Sequence, residues 1–316
     1  MNIAIDMMGG DFAPLEVVKG IQRYISRNED AAVLFCIGDE EAIKPLIAEY
    51  NLPAAHIRII HAPEVIGYHE PPTRALKEKK HSSISIGFHL LASGKADAFI
   101  SAGNTGAMLV GTMYSIKTIE GISRPTIATI IPKLNGKTGL LLDVGLNADC
   151  KPEQLNQFAL LGSLYARHIL NIEDPRVGLL NVGEEEGKGN ILAQATYPLL
   201  KENESINFTG NVEGRDFLQD KADVIVCDGF TGNIILKMAE SIYDIAIARN
   251  LENDEYFHRF HYENYGGTPV LGVSKPVIIG HGISNDKAFM NMILVAEKMI
   301  ATDFCETLKQ AFHSEN

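Results

Sequence analysis

Short apolar runs alternate along this chain with stretches whose apolar residues recur every three or four positions. The runs are NIAID (2–6), AVLFCIG (32–38), HIRIIHA (56–62), ADAFI (96–100), TIATIIP (126–132), GLLLDVG (139–145), RVGLLNVG (176–183), SINFTG (205–210), ADVIVCDG (222–229) and VIIGHG (277–282). Continuous apolar runs of this length predict strands buried on both faces. The stretches between them predict helices, among them DFAPLEVVKGIQRYI (11–25), SSISIGFHLLASG (82–94), KPEQLNQFALLGSLYARHI (151–169) and GNIILKMAESIYDIAIARN (232–250). In the first and third of these a proline falls near the opening turn, where its missing N–H costs little. Strands alternating with helices predict an α/β fold, Rossmann-like, with a mostly parallel sheet covered by helices on both faces. The whole chain, 1–316, reads as a single domain with a helical excursion at about 240–265. The least periodic segment, 64–80, reads as a mobile loop or a short helix.

In an open parallel sheet, ligands bind beyond the carboxyl ends of the strands. Five of the runs end in glycine-bearing polar motifs: Asp6-Met-Met-Gly9-Gly10-Asp11, Ser101-Ala-Gly103-Asn104-Thr105-Gly106, Asp143-Val-Gly145-Leu-Asn147, Asn181-Val-Gly183-Glu184-Glu185-Glu186-Gly187-Lys188 and Asp228-Gly229-Phe230-Thr231-Gly232-Asn233. Glycine also serves ordinary turns, but so many polar strand ends predict one shared site. The helices that open after SAGNT and GFTGN would offer free N–H groups and a positive dipole end, which suit phosphate. Lys188 adds a point charge, and His281 ends the last run on the same rim.

Composition narrows the chemistry. The net charge is −12, with no strong basic stripe, which argues against a nucleic-acid partner. The four cysteines are scattered without a CxxC pair, which argues against a zinc site and a disulfide scaffold. No run of about 18 apolar residues suggests a membrane span, and MNIAIDMMGGD lacks the features of a secretory signal, so a cytoplasmic location is expected. A dinucleotide fingerprint is absent after the first run. Gly136-Lys137-Thr138 is no Walker loop, because Ile131 stands where its first glycine is required. The carboxylates of the strand ends, Asp6, Asp11, Asp143, Asp149, Glu184 to Glu186 and Asp228, could hold magnesium. Their spacing does not demand a metal, and none is expected; bonding to loop N–H groups is the competing role. Cys150 and Cys227 lack a base nearby in sequence, which favours burial over nucleophilic attack.

The motifs IAIDMMGGD, SAGNTGA, LLLDVGLNADC, VGLLNVGEEEGKGN, NFTGNVEGRD, VIVCDGFTGN and YGGTPVLGV…HG occur in this order across nearly the whole chain. The series closely resembles the bacterial phosphate acyltransferase (PlsX) family. The resemblance implies the fold group of isocitrate and isopropylmalate dehydrogenases and phosphotransacetylases. It implies transfer of a long-chain acyl group from acyl carrier protein to inorganic phosphate, giving an acyl phosphate that a glycerol-3-phosphate acyltransferase consumes in phospholipid synthesis. It also implies a homodimer without a tightly bound cofactor. Matched by motif, Lys188, Asn233, Asn104 and His281 are the expected catalytic residues. Gly9, Gly10, Asp11, Ser101, Gly103, Thr105, Gly106, Asp143, Asn147, Glu185, Asn211, Asp228, Thr231 and Gly232 are expected to bind substrate.

Because carrier protein is acidic, the basic residues Arg74, Lys77, Lys79 and Lys80, with Arg124, become an expected docking patch; a solvated helix face is the alternative. Two departures from the family stand out. The loop Ile66-Gly67-Tyr68-His69-Glu70-Pro71-Pro72 lacks an Asp common there, and the segment before YGG is shorter than the apolar hairpin linked in relatives to membrane attachment. A weak peripheral membrane contact is therefore an open expectation. Other readings are a phosphate acetyltransferase acting on short acyl-CoA, an NAD(P)-dependent decarboxylating dehydrogenase of the same fold group, and a non-catalytic binding module.

Overall fold

The computed structural model describes residues 1–27, 30–251 and 253–313. The chain runs β1 (Asn2–Asp6), α1 (Leu15–Ile25), β2 (Val33–Gly38), α2 (Glu40–Glu49), β3 (Ile57–His61), α3 (Pro72–Glu78), α4 (Ser83–Ala92), β4 (Ala98–Ser101) and α5 (Thr105–Ser115). It continues through β5 (Thr126–Pro132), β6 (Thr138–Leu142), α6 (Pro152–His168), β7 (Arg176–Asn181), α7 (Ile191–Glu202), β8 (Asn207–Glu213), β9 (Val224–Val226) and α8 (Gly229–Ala248). It closes with α9 (Glu255–His258), β10 (Gly267–Leu271), β11 (Val277–Gly280), α10 (Asp286–Ala301) and α11 (Phe304–His313). The chain divides into two compact units, one of Met1–Ile119 with Tyr262–Lys309, the other of Glu120–His261 with Gln310–Asn316.

In the first unit the strand order is β3-β2-β1-β4-β11-β10. The pairs β2–β3, β1–β2, β1–β4 and β4–β11 are parallel, and β10–β11 is antiparallel. The register Ile3↔Ala98 and Ile279↔Ser101 makes β1, β4 and β11 leave the sheet along one edge. Every residue of β4 and β11 is buried, as continuous apolar runs require when helices cover both faces. Phe99 of β4 meets Phe88 of α4 edge to face, with ring centroids 5.0 Å apart.

The second unit has the order β5-β6-β9-β7-β8. Here β6, β9, β7 and β8 are parallel and β5 is antiparallel to β6. The carboxyl ends of β6, β9 and β7 therefore share an edge. Helix α6 packs on β9 and β6 through its buried face, which includes Leu155, Phe158 and Leu161. Helix α8 is different: of its 20 residues only Gly229, Gly232 and Ala246 are buried. Among the described residues, no helix is long and apolar enough to cross a membrane.

Candidate active site

In the first unit the turns after β1 and β4 lock around one carboxylate. Asp6, only 1% exposed, accepts a 2.6 Å bond from the Ser101 hydroxyl and a 3.0 Å bond from Met8 N–H. Ser101 Oγ in turn accepts from Gly103 N–H at 3.0 Å. Burial pushes the Asp6 carboxyl above its ordinary range, against bonds from Ser101, Ser83, Met8 and Gly9 that lower it. Gly9 is required by contact: a Cβ there would lie 2.5 Å from Asp6 Oδ2 and 2.6 Å from Gly103 N. The β11 turn joins them, with Asp11 N–H donating to Gly282 O at 2.7 Å. Gly10, Asp11, Ser101, Gly103 and the half-buried His281 thus belong to turns on one edge of one sheet.

Asn104 caps α5, its Oδ1 accepting from Ala107 N–H at 2.9 Å. Its Nδ2 donates to the carbonyls of Gly67 (2.8 Å), Tyr68 (3.2 Å) and Glu70 (3.3 Å). Both ends of this side chain are thus engaged in bracing the 67–70 loop over the helix. Thr105 is exposed beside it, and Gly106 lies against Pro72. Tyr68, absent from the sequence-level candidates, reaches Ala102 O with its hydroxyl at 3.3 Å. Burial, and then the Asp11 charge, pushes its phenol up to about 12.

The second unit repeats the device. Asp143, fully buried at the end of β6, accepts from Ile127 N–H (3.1 Å), Leu146 N–H (3.2 Å), Asn147 N–H (2.6 Å) and Asn147 Nδ2 (2.8 Å). Burial raises its carboxyl, and these bonds oppose the rise. The first turn of α8 is pressed onto this loop. Gly229 N–H donates to Asn147 O at 2.7 Å, and a Cβ on Gly232 would overlap the Asp143 carbonyl oxygen. Asp228 caps α8 by accepting from Thr231 N–H and from the Thr231 hydroxyl, both at 2.8 Å. Asn233 is exposed and donates to Val144 O at 3.1 Å.

After β7, Asn181 and Asn211 hold the glutamate-rich loop from beneath. Asn181 Nδ2 reaches Lys188 O and Asn211 Oδ1, each at 3.1 Å. Asn211 Nδ2 reaches Glu185 O at 2.9 Å. Lys188 itself is 53% exposed, with Glu185 Oε2 4.0 Å from its ammonium. Glu184, Glu213 and Asp216 cluster nearby. The Lys221 ammonium sits on Glu184 at 2.6 Å and Asp216 at 3.3 Å, and Arg215 pairs with Glu213, so cations already meet these charges. Burial, and then neighbouring acidic charge, pushes the Cys150 thiol up to about 12, and Cys227 rises for the same reasons. Neither environment favours a thiolate nucleophile.

The five basic residues separate. Lys79 donates to Glu70 at 2.6 Å and to Val65 O at 2.7 Å, which ties down the 65–70 loop. Arg74 pairs with Glu78 at 2.9 Å along α3. Lys77, Lys80 and Arg124 are exposed, with no ion pair among the described residues.

The fold matches solved phosphotransacetylases. A phosphotransacetylase from Streptococcus pyogenes superposes with a TM-score of 0.62 at 18% identity, covering 95% of this chain and 94% of that one. A branched-chain phosphotransacylase from Enterococcus faecalis gives 0.63 at 13% identity, covering 95% and 99%. At such identities only the fold is shared. Sequence carries the assignment further. The family model described as fatty acid synthesis protein matches residues 1–307. The phosphate acyltransferase of Dictyoglomus turgidum is 45% identical over 318 residues, covering 95% of this chain and 94% of the relative. That of Aquifex aeolicus is 42% identical over 330 residues, covering 98% and 96%. This chain belongs to the phosphate acyltransferase family and is an acyltransferase.

Proposed function

We propose that the chain transfers a long-chain acyl group from acyl carrier protein to inorganic phosphate, and that the acyl phosphate feeds phospholipid synthesis through a glycerol-3-phosphate acyltransferase. The observation that carries this reading is the setting of Lys188: a half-exposed ammonium 4.0 Å from its nearest carboxylate partner, on a loop braced by Asn181 and Asn211. It is a cation presented to solvent on the strand edge that also carries the capped N-terminus of α8.

Phosphate at neutral pH is already an anionic nucleophile, so the protein's task is to orient it and to stabilise the charge that develops. A phosphate oxygen attacks the thioester carbonyl, a C–O bond forms and the carbonyl oxygen becomes an oxyanion. Collapse breaks the C–S bond, and the departing thiolate takes the proton of the phosphoryl group. Lys188 and Asn233, with Thr231 and Gly232 at the α8 N-terminus, are the groups proposed to meet the anions. Asp143, Asn147, Asp228, Glu185 and Asn211 shape the turns that hold them. In the first unit, Gly9, Gly10, Asp11, Ser101, Gly103, Thr105 and Gly106 form the other proposed anion-binding edge. Asn104 acts there as a positioning residue, and His281 contributes a contact. Lys77 and Lys80, with Arg74 and Arg124, are the proposed carrier contacts. A homodimer in the cytoplasm, with at most weak membrane contact, completes the reading.

The test is to mix palmitoyl-carrier protein with the enzyme and trap acyl phosphate with hydroxylamine. Acyl hydroxamate should form in step with free carrier thiol and only when phosphate is present. Thiol release that ignores phosphate would reject the reading. A much faster reaction with acetyl-CoA would replace it with the short-chain alternative.

A further inference from the structure

We infer that the acyl chain of the donor lies in an apolar groove along α8 that opens from a cup at the N-terminus of that helix. The inference rests on the acyl-transfer reading above and adds where the chain binds. The cup has a volume of about 260 Å³ and lies between the turns after β7 and β9, with Asn181, Asp228 and Thr231 set in a wall otherwise made largely of apolar residues, leucines among them. A groove of about 300 Å³ is walled by Leu134, Phe217, Leu218, Met238, Ala239 and Ile242. Cup and groove share two lining residues, Gly214 and Ile235, so the two adjoin. Between Ile235 and Ile242 the groove follows α8 for roughly 10 Å at the rise of an α-helix.

Along this path Asn181, Asp228 and Thr231 sit in the cup beside the strand-end turns, and the groove beyond is the more apolar of the two, which is the order an acyl thioester would need. Met238 is 68% exposed and Leu134 53% exposed, an apolar surface the unit leaves unfilled. A side chain added at Gly214, on the border of the two, would meet nothing within 4 Å. A groove of about 430 Å³ in the first unit fits the role less well. It shares no lining residue with a strand-end turn.

Two measurements test this. A palmitoyl-carrier donor with a diazirine at the far end of the chain, photolysed on the full-length enzyme, should label residues 214–219 or 235–242. In steady state, Ala239→Phe and Gly214→Leu should each lower the ratio of kcat/KM for palmitoyl over butyryl donors by on the order of tenfold, the value of a few methylenes of lost burial. Urea unfolding would confirm that the variants fold, and the wild-type label stands if they do not. Label recovered from 73–88 or 110–115 overturns the assignment. So does a shift in dimerisation by folded variants whose donor preference is unchanged. Label in the groove without phosphate-dependent thiol release would keep the groove and remove the transfer reading.

Discussion

The two ends of β9 treat charge in opposite ways. At its amino end, Lys133 is 1% exposed and donates to Asp223 at 2.8 Å and Asp220 at 3.4 Å. Arg176 donates to both Asp223 oxygens, at 2.9 and 3.0 Å, and pairs with Asp220 as well. At its carboxyl edge the buried carboxylate, Asp143, meets only neutral donors among the described residues, and Lys188 on the neighbouring turn is half exposed and loosely paired. One end spends its cations on its own anions; the other leaves a cation for an anion from outside. A lysine's role in this protein therefore follows from its partners more than from its neighbours in sequence. The first unit draws the same distinction within one short segment, where Lys79 is a tether and Lys77 and Lys80 make no ion pair among the described residues.

If that contrast holds, Lys133→Ala should have the largest effect on stability. It removes one charged donor from Asp223, which keeps Arg176, a loss of about 1.5–3 kcal/mol, read as a fall in the urea midpoint. Activity per folded molecule should be unchanged. The acid limb should come next. Burial alone would raise the Asp223 carboxyl, but Arg176 and Lys133 outweigh it and hold the group well below the usual carboxylate range. Its stabilisation is thus complete above its unfolded pKa, about 3.9, and is lost as pH falls below that toward the depressed folded value. Asp223→Asn should flatten the loss of urea midpoint between neutral and acidic pH, and an unchanged slope would mean that other groups govern acid unfolding. The smallest effect belongs to the exposed pair. Lys77→Glu with Lys80→Glu should raise KM for acyl-carrier donors roughly threefold to tenfold with kcat kept, as rim charges do. Lys79→Glu should instead loosen the 65–70 loop and depress the rate with every donor. Equal losses from all three would erase the distinction between tether and dock.

Much of this was legible in the sequence. Runs such as NIAID and VIIGHG gave strands nearly where they stand, because apolar continuity reports burial directly. It does not report direction, and β5–β6 and β10–β11 prove antiparallel. For the first pair a signal existed: Asn135-Gly136 in the short link between them is a hairpin dipeptide. Helix α7, with Pro198 inside it, and strand β10, containing Pro269, went unrecognised because proline speaks against both elements. The glycine-bearing turns were legible as turns, but the reasons for their glycines were not. Gly9 faces Asp6 and Gly103, the latter 94 positions away, and Gly232 faces the Asp143 carbonyl. For the same reason Asn104 read as a catalytic group: its partners, Gly67, Tyr68 and Glu70, lie in a loop that sequence alone could not place.

The most direct test of the central claim is the rate of phosphate-dependent thiol release from palmitoyl-carrier protein by wild type and Lys188→Ala, with urea unfolding measured on the same samples. Removing one group that stabilises a developing oxyanion typically lowers kcat by about 10²–10³, and a loss of that size is predicted here with the unfolding midpoint unchanged. A variant that turns over like wild type, or one that loses rate only because it unfolds, would contradict the account.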